Sequence, residues 1–199
     1  MSDSNMKPGR RGLLIATTAA GGVAGLATAV PFAASMLPSE RAKAAGAPVE
    51  ADISTLAPGT MMTVEWQGQP VWILHRTPEM LAELPKLDDQ LADPKSKRSD
   101  SSTPSFARNN DTRSFKPEYL VVVGICTHLG CSPVSKFAVE PEPFDPSWQG
   151  GFYCPCHGST YDLSGRVYKN KPAPDNLKVP PYTFLSDTRI LIGAQKKEA

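Results

Sequence analysis

The chain has 199 residues, with 21 Lys and Arg against 20 Asp and Glu, for a net charge of +1. Its basic residues are dispersed rather than grouped on one run, so it lacks the electrostatic signature of a nucleic-acid binder or of a partner for another polyanion.

In chain order, the first element is apolar. No charged residue occurs between Gly12 and Ser39, and Ala, Gly and Leu dominate. As a helix this run would reach roughly 40 Å, enough to cross a bilayer. Lys7, Arg10 and Arg11 precede it and Glu40, Arg41 and Lys43 follow, a slight basic bias toward an inside N-terminus. Arg10-Arg11 followed by Gly-Leu-Leu resembles a twin-arginine export signal. We read residues 1–11 as a cytoplasmic N-terminus carrying that signal, 12–37 as a transmembrane anchor helix and 38–50 as a flexible tether containing Gly46 and Pro48. Pro31 is expected to kink or interrupt the helix unless neighbouring helices satisfy the freed carbonyl. Gly21, Gly22 and Gly25 would let a partner helix approach closely, or serve as plain apolar filler. Ala27-Thr28-Ala29 and Ala42-Lys43-Ala44 also fit a signal-peptidase rule, but the apolar run is long for a cleaved signal.

Residues 51–199 have the length of one domain. Val64–Trp66 and Val71–His75 around Gly68 read as a hairpin, and Pro78–Leu84 as one or two helical turns. Residues 86–116 are charged, serine-rich and poor in large apolar groups, and are expected to be a solvated surface insertion. Tyr119–Ile125 reads as a buried strand, Phe152-Tyr153 as part of another, and Tyr182–Leu185 with Arg189–Ile192 as a closing hairpin around Ser186-Asp187. His75, Trp66, Trp72 and Trp148 read as packing residues. The fold expected is mostly β, with loops at one end of a rigid scaffold.

Two of those loops hold all four cysteines and two of the three histidines: CTHLGC at 126–131 and CPCHGS at 154–159. Thiolate and imidazole donors in equal number suit a zinc or iron–sulfur site. Cys126 and His128, two apart in an extended loop, point the same way, while Cys154 and His157 can meet across a turn. Cys131 and Cys156 remain, one from each loop; if both loops clamp one centre, that pair is close enough for a disulfide. The donor set admits a closed tetrahedral zinc, or a 2Fe-2S cluster with both Cys on one iron and both His on the other. Three features favour iron. The spare cysteine pair suggests an oxidised fold. Gly130 and Gly158 permit tight turns whose amides can approach bridging sulfides. Ser159 and Tyr161 follow directly and can donate hydrogen bonds to sulfur.

Together with the following YDLSGRV and KPAPDNLKVP, these boxes resemble the Rieske iron–sulfur proteins of bacterial cytochrome bc complexes, the ubiquinol–cytochrome c reductases. The resemblance extends from the arginine pair to the final TRILIG segment. It implies an N-terminal transmembrane helix, retained uncleaved, and an antiparallel β-sandwich head with a small cluster-binding β subdomain, the cluster loops spanning about 124–174. It implies Cys126 and Cys154 on the inner iron, His128 and His157 on the outer iron, and a Cys131–Cys156 disulfide. It further implies that Ser159 bonds a bridging sulfide, that Tyr161 bonds the sulfur of Cys126, and that His157 meets the quinol hydroxyl. Leu129, Lys171 and Pro172 are then at the docking tip. Two departures accompany it: an acidic, proline-bearing stretch, VEPEPFDPSWQGG, fills much of the interval between His128 and Cys154, and Lys171 stands where glycine is common. The first leads us to expect a differently shaped tip on the first loop.

The function implied is electron transfer from quinol through one 2Fe-2S cluster to a c-type cytochrome, with cytochrome b as the other partner. The implied setting is a dimeric complex in the bacterial inner membrane, single-pass, with the C-terminal head in the periplasm and the tether acting as a hinge. The alternative in the same family is the Rieske small subunit of another exported oxidase, of the arsenite oxidase type. A redox-silent zinc module is the alternative of a different class.

Overall fold

Runs of apolar and β-branched residues form strands wherever a Gly, Pro or Asp turn lets the chain reverse. In the computed structural model, which describes residues 9–39, 46–98 and 103–194, there are nine strands among the described residues. These are β1 (Val49–Asp52), β2 (Met61–Trp66), β3 (Gln69–His75), β4 (Tyr119–Val123), β5 (Val134–Lys136), β6 (Gly151–Cys154), β7 (Ser159–Tyr161), β8 (Tyr182–Ser186) and β9 (Arg189–Ile192). They pair into three antiparallel sheets of three strands, ordered β1-β9-β8, β2-β3-β4 and β5-β6-β7. The chain falls into two units, divided between residues 44 and 45.

The β2–β3 hairpin turns on Gln67 and Gly68, both at positive φ (53° and 69°), the geometry of a two-residue loop that matches strand twist. As the central strand of its sheet, β3 buries Val71, Trp72, Ile73 and Leu74. Ala51, Ile190 and Ile192 of the first sheet, Leu120–Val123 of the second and Phe152 and Tyr161 of the third share one continuous core. This is the expected β head, with the third sheet as the small subdomain that carries the loops. Trp66, Trp72 and Trp148 are buried, and His75 stacks on Tyr119 while its Nδ1 meets the Leu56 carbonyl at 2.8 Å. All four serve packing, as expected.

β4 is shorter than expected because Gly124 leaves the ladder. Its N–H donates to the Pro70 carbonyl at 2.8 Å, and any side chain there would enter the Trp72 ring. Thr77 caps a short helix, α2 (Pro78–Glu83), accepting from the Met80 N–H, and the chain continues as 3-10 turns over Leu84–Gln90.

Among the described residues, the other unit is a single helix, α1 (Arg10–Ser35), whose most apolar 18-residue stretch has mean hydropathy 1.8, long and apolar enough to cross a membrane. It starts and ends two residues ahead of the expected 12–37 span. It also continues past Pro31 without the interruption that the proline could cause there. The ring removes one hydrogen bond, to the Ala27 carbonyl, from a ladder that is otherwise continuous. Residues 1–8 and the tether's 40–45, with Lys7, Glu40, Arg41 and Lys43, lie outside the described residues.

The expectation of a solvated insertion at 86–116 is overturned. Leu87, Leu91, Asp93, Ser96, Thr103, Ala107, Arg113 and Ser114 are all buried; residues 99–102 lie outside the described residues. Composition misled because the charges are satisfied internally. Asp93 accepts the N–H groups of Lys97 and Arg98, each at 2.8 Å, and Lys95 pairs with Asp88 and Asp111. The few apolar residues act as anchors, with Leu87 and Leu91 packed on Trp148 and Tyr168. The acidic stretch after β5 is likewise folded down. Phe144 stacks on Tyr153 at 3.9 Å, and the indole of Trp148 donates to the Lys136 carbonyl at 2.9 Å. Its length is taken up beyond β5, not at the tip of the first loop.

Leu91→Ala is therefore expected to cost about 2–5 kcal/mol, read as a lower denaturation midpoint; a surface insertion would leave that midpoint unchanged.

Candidate metal centre

Each cysteine box is closed by the same small turn. In the loop after β4, the Gly130 N–H donates to the Cys126 carbonyl at 3.1 Å, and the Cys126 N–H donates to Cys131 at 2.8 Å. In the loop joining β6 to β7, the Gly158 N–H donates to the Cys154 carbonyl at 3.0 Å. Both glycines sit near φ +80° (82° and 78°), and a Cβ at either would meet nothing, so conformation rather than space demands glycine.

Cys131 and Cys156 are disulfide-bonded, with Cα atoms 6.7 Å apart, and tie the two loops together. Their sulfurs and that of Cys154 lie within 4.8 Å of one another. Two of those three are consumed by the bond, which leaves Cys126 and Cys154 as the free thiols, both buried. His128 is half-buried and His157 exposed, their rings 4.8 Å apart and nearly perpendicular. The loops thus present sulfur inward and imidazole outward.

The buried sulfur is well supplied with donors. Tyr161 places its hydroxyl 3.2 Å from the Cys126 Sγ. Burial pushes the Cys126 thiol up, but hydrogen bonds from Tyr161, the His128 backbone and Ser159 outweigh it and the net shift is downward. Cys154 is shifted up, first by burial and then by its neighbour Cys126. Burial raises Tyr161, which therefore stays a neutral donor. Ser159, fully buried, accepts from the Ala173 N–H at 3.0 Å and keeps its own proton for sulfur.

Sequence reasoning missed Thr127. Its N–H donates to the Tyr161 oxygen at 3.1 Å, and its hydroxyl donates to the Asp175 carbonyl at 2.6 Å. Only its place inside the first box signalled it. Leu129 is 71 % exposed, Pro172 is exposed and Lys171 half-buried. Beneath the site, Asp162 holds the turn after β7, accepting the N–H groups of Ser164 and Arg166 and the Arg166 Nε at 2.7 Å, all in the interior.

Two buried thiols, two outward imidazoles and converging donors suit a 2Fe-2S cluster that needs both ligand kinds and hydrogen bonds to sulfur. Residues 48–181 match the Rieske [2Fe-2S] domain, so the chain belongs to the Rieske iron–sulfur family and its cofactor is a 2Fe-2S cluster. Within the family, it is 52 % identical over its whole length to the ubiquinol-cytochrome c reductase iron-sulfur subunit of Allochromatium vinosum, covering 95 % of that protein. It is 44 % identical, over 94 % of this chain and 95 % of the relative, to the subunit of the same name from Bradyrhizobium diazoefficiens. A solved hyperthermophilic respiratory Complex III chain aligns at TM-score 0.48 and 25 % identity, over 88 % of this chain and 97 % of that one.

Replacing Cys131 and Cys156 together with Ser is expected to cost about 3.5 kcal/mol, the chain-entropy value for a loop of this size. Thermal unfolding of the double variant measures it.

Proposed function

We propose that this chain is the iron–sulfur subunit of a quinol–cytochrome c oxidoreductase, a translocase of the cytochrome bc type. One observation carries the reading: the stapled loops bury Cys126 and Cys154 while turning His128 and His157 outward. Relatives that match nearly the whole chain carry the same named activity. Cys126 and Cys154 would hold one iron, and His128 and His157 the other. When bound, a cluster with this ligand set supplies one-electron chemistry at roughly −150 to +300 mV, in the range of quinol and c-type haem.

The chain's own groups divide the remaining work. Tyr161 and Ser159 direct hydrogen bonds at sulfur and favour the reduced form. His157, the exposed ligand, meets the quinol hydroxyl and receives its proton on the ring nitrogen left free of iron. Leu129, Lys171 and Pro172 dock the tip beside it against cytochrome b. Helix α1 is a retained single-pass anchor in the bacterial inner membrane, with Arg10-Arg11 serving a twin-arginine export route. The head faces the periplasm, the 38–50 tether lets it swing toward a c-type cytochrome, and the complex is dimeric.

Copurification with cytochrome b and a c-type cytochrome, read by reduced-minus-oxidised spectra, tests the assignment; a molybdenum subunit in their place would overturn it. His157→Ala is expected to abolish both quinol oxidation and the reduced 2Fe-2S paramagnetic resonance signal. A persisting signal would refute its role as a ligand. Ser159→Ala and Tyr161→Phe should each lower the midpoint by roughly 60 mV, the equivalent of one charge-assisted hydrogen bond, as redox titration will show.

A further inference from the structure

The buried insertion reaches the cluster loops through one side chain. Arg113 is 1 % exposed, and its hydrogen bonds among the described residues all end on backbone carbonyls: Ser164 at 3.0 Å, Gly165 at 3.1 Å and Leu177 at 2.7 Å. Its Nε has no hydrogen-bond partner among the described residues. Burial pulls the guanidinium down to about 10, with Asp162 acting the other way, so it remains charged at neutral pH.

The three carbonyls belong to two segments that meet at one backbone bond, from the Leu177 N–H to the Gly165 carbonyl at 2.8 Å. Ser164 and Gly165 close the turn that ends β7, the strand bearing Ser159 and Tyr161. Leu177 ends the stretch in which the Ala173 N–H meets Ser159 and the Asp175 carbonyl receives the Thr127 hydroxyl. Asn176 reinforces the same junction, donating to the Asp93 carbonyl and Ser96 Oγ of the insertion and accepting from the Val167 N–H. A planar guanidinium offers donors at fixed angles, so it sets the distance between the carbonyls it joins.

We propose that Arg113, seconded by Asn176, is a positioning residue for the cluster: it locks the turn after β7 to the 173–177 segment and so holds Tyr161 and Ser159 on their sulfur targets. This rests on the cluster assignment above.

The test uses the full chain in its membrane complex, with iron and acid-labile sulfide counted, the midpoint titrated and thermal unfolding recorded. Arg113→Lys keeps the charge but loses the fork. It should retain two irons per chain while the oxidised-to-reduced ratio at fixed ambient potential rises about tenfold, ~59 mV downward for one electron. Leu74→Ala, in the core strand β3, should unfold earlier at an unshifted midpoint. In a Tyr161→Phe background the Arg113→Lys shift should shrink, since both act through one hydroxyl.

If Arg113→Lys does not keep its cluster, Asn176→Ser carries the test with the same sign expected. Loss of the cluster from both variants at an unchanged unfolding temperature supports the same role. A wild-type midpoint in a cluster-bearing variant overturns it, as does a full-sized shift beside Tyr161→Phe or cluster loss that only accompanies unfolding. Wild-type protein without iron and sulfide would instead overturn the cluster assignment.

Discussion

The bond between Cys131 and Cys156 decides what the site can be. The first loop leaves the sheet of β2, β3 and β4, and the second caps the sheet of β5, β6 and β7, so their tips meet only if something holds them. A covalent link does so at little cost to the native state and removes open conformations from the unfolded chain. It also fixes the donor inventory. Of four sulfurs, the two in the bond are unavailable to iron, and the two left are the buried ones. The histidines, on the outer side of the same loops, complete the proposed set of two sulfurs and two nitrogens.

The interior of the head also holds three arginines. Arg76, Arg113 and Arg166 are all buried, and among the described residues only Arg166 of the three is paired with a buried carboxylate, that of Asp162. Arg76 bonds the carbonyls of Thr112, Pro117 and Leu163 and the hydroxyls of Ser114 and Ser164. Desolvating a guanidinium is unfavourable, and apolar packing would often be at least as stable. What these side chains supply is satisfaction for loop carbonyls that have no sheet partner. Loops that must present ligands at fixed angles need such internal donors, because a turn closed only by water would not hold its shape.

Much of this is legible in the sequence, and the divide is physical. The boxes were readable because ligand chemistry is local: Cys, His and Gly at short spacings leave few alternatives. The hairpins β2–β3 and β8–β9 were readable because turn residues sit between short apolar runs. Residues 86–116 were misread because a charge count treats Asp93, Lys95 and Arg113 as solvated, whereas each is satisfied by a group far along the chain or by a folded turn. Thr127 and Asn176 escaped notice for the same reason. Their partners, Asp175 for one and Asp93 for the other, lie tens of residues away, and no periodicity records such a contact. The end of β4 was misplaced because Gly124 is claimed by Pro70 and by the Trp72 ring, both tertiary neighbours.

The polarity of the site bears on what can react there. Cys126 and Cys154 are each 2 % exposed, so no substrate reaches the sulfur side without unfolding the core. His157 is open and His128 partly so. Any small molecule that exchanges an electron with a group held between them must therefore approach through an imidazole edge, and an imidazole edge also carries a proton site. On the proposed ligand set, an electron and a proton would be exchanged at one point on the surface, with Leu129 as the exposed apolar neighbour. A carrier that gives up both together, such as a quinol, fits that edge better than a donor of electrons alone.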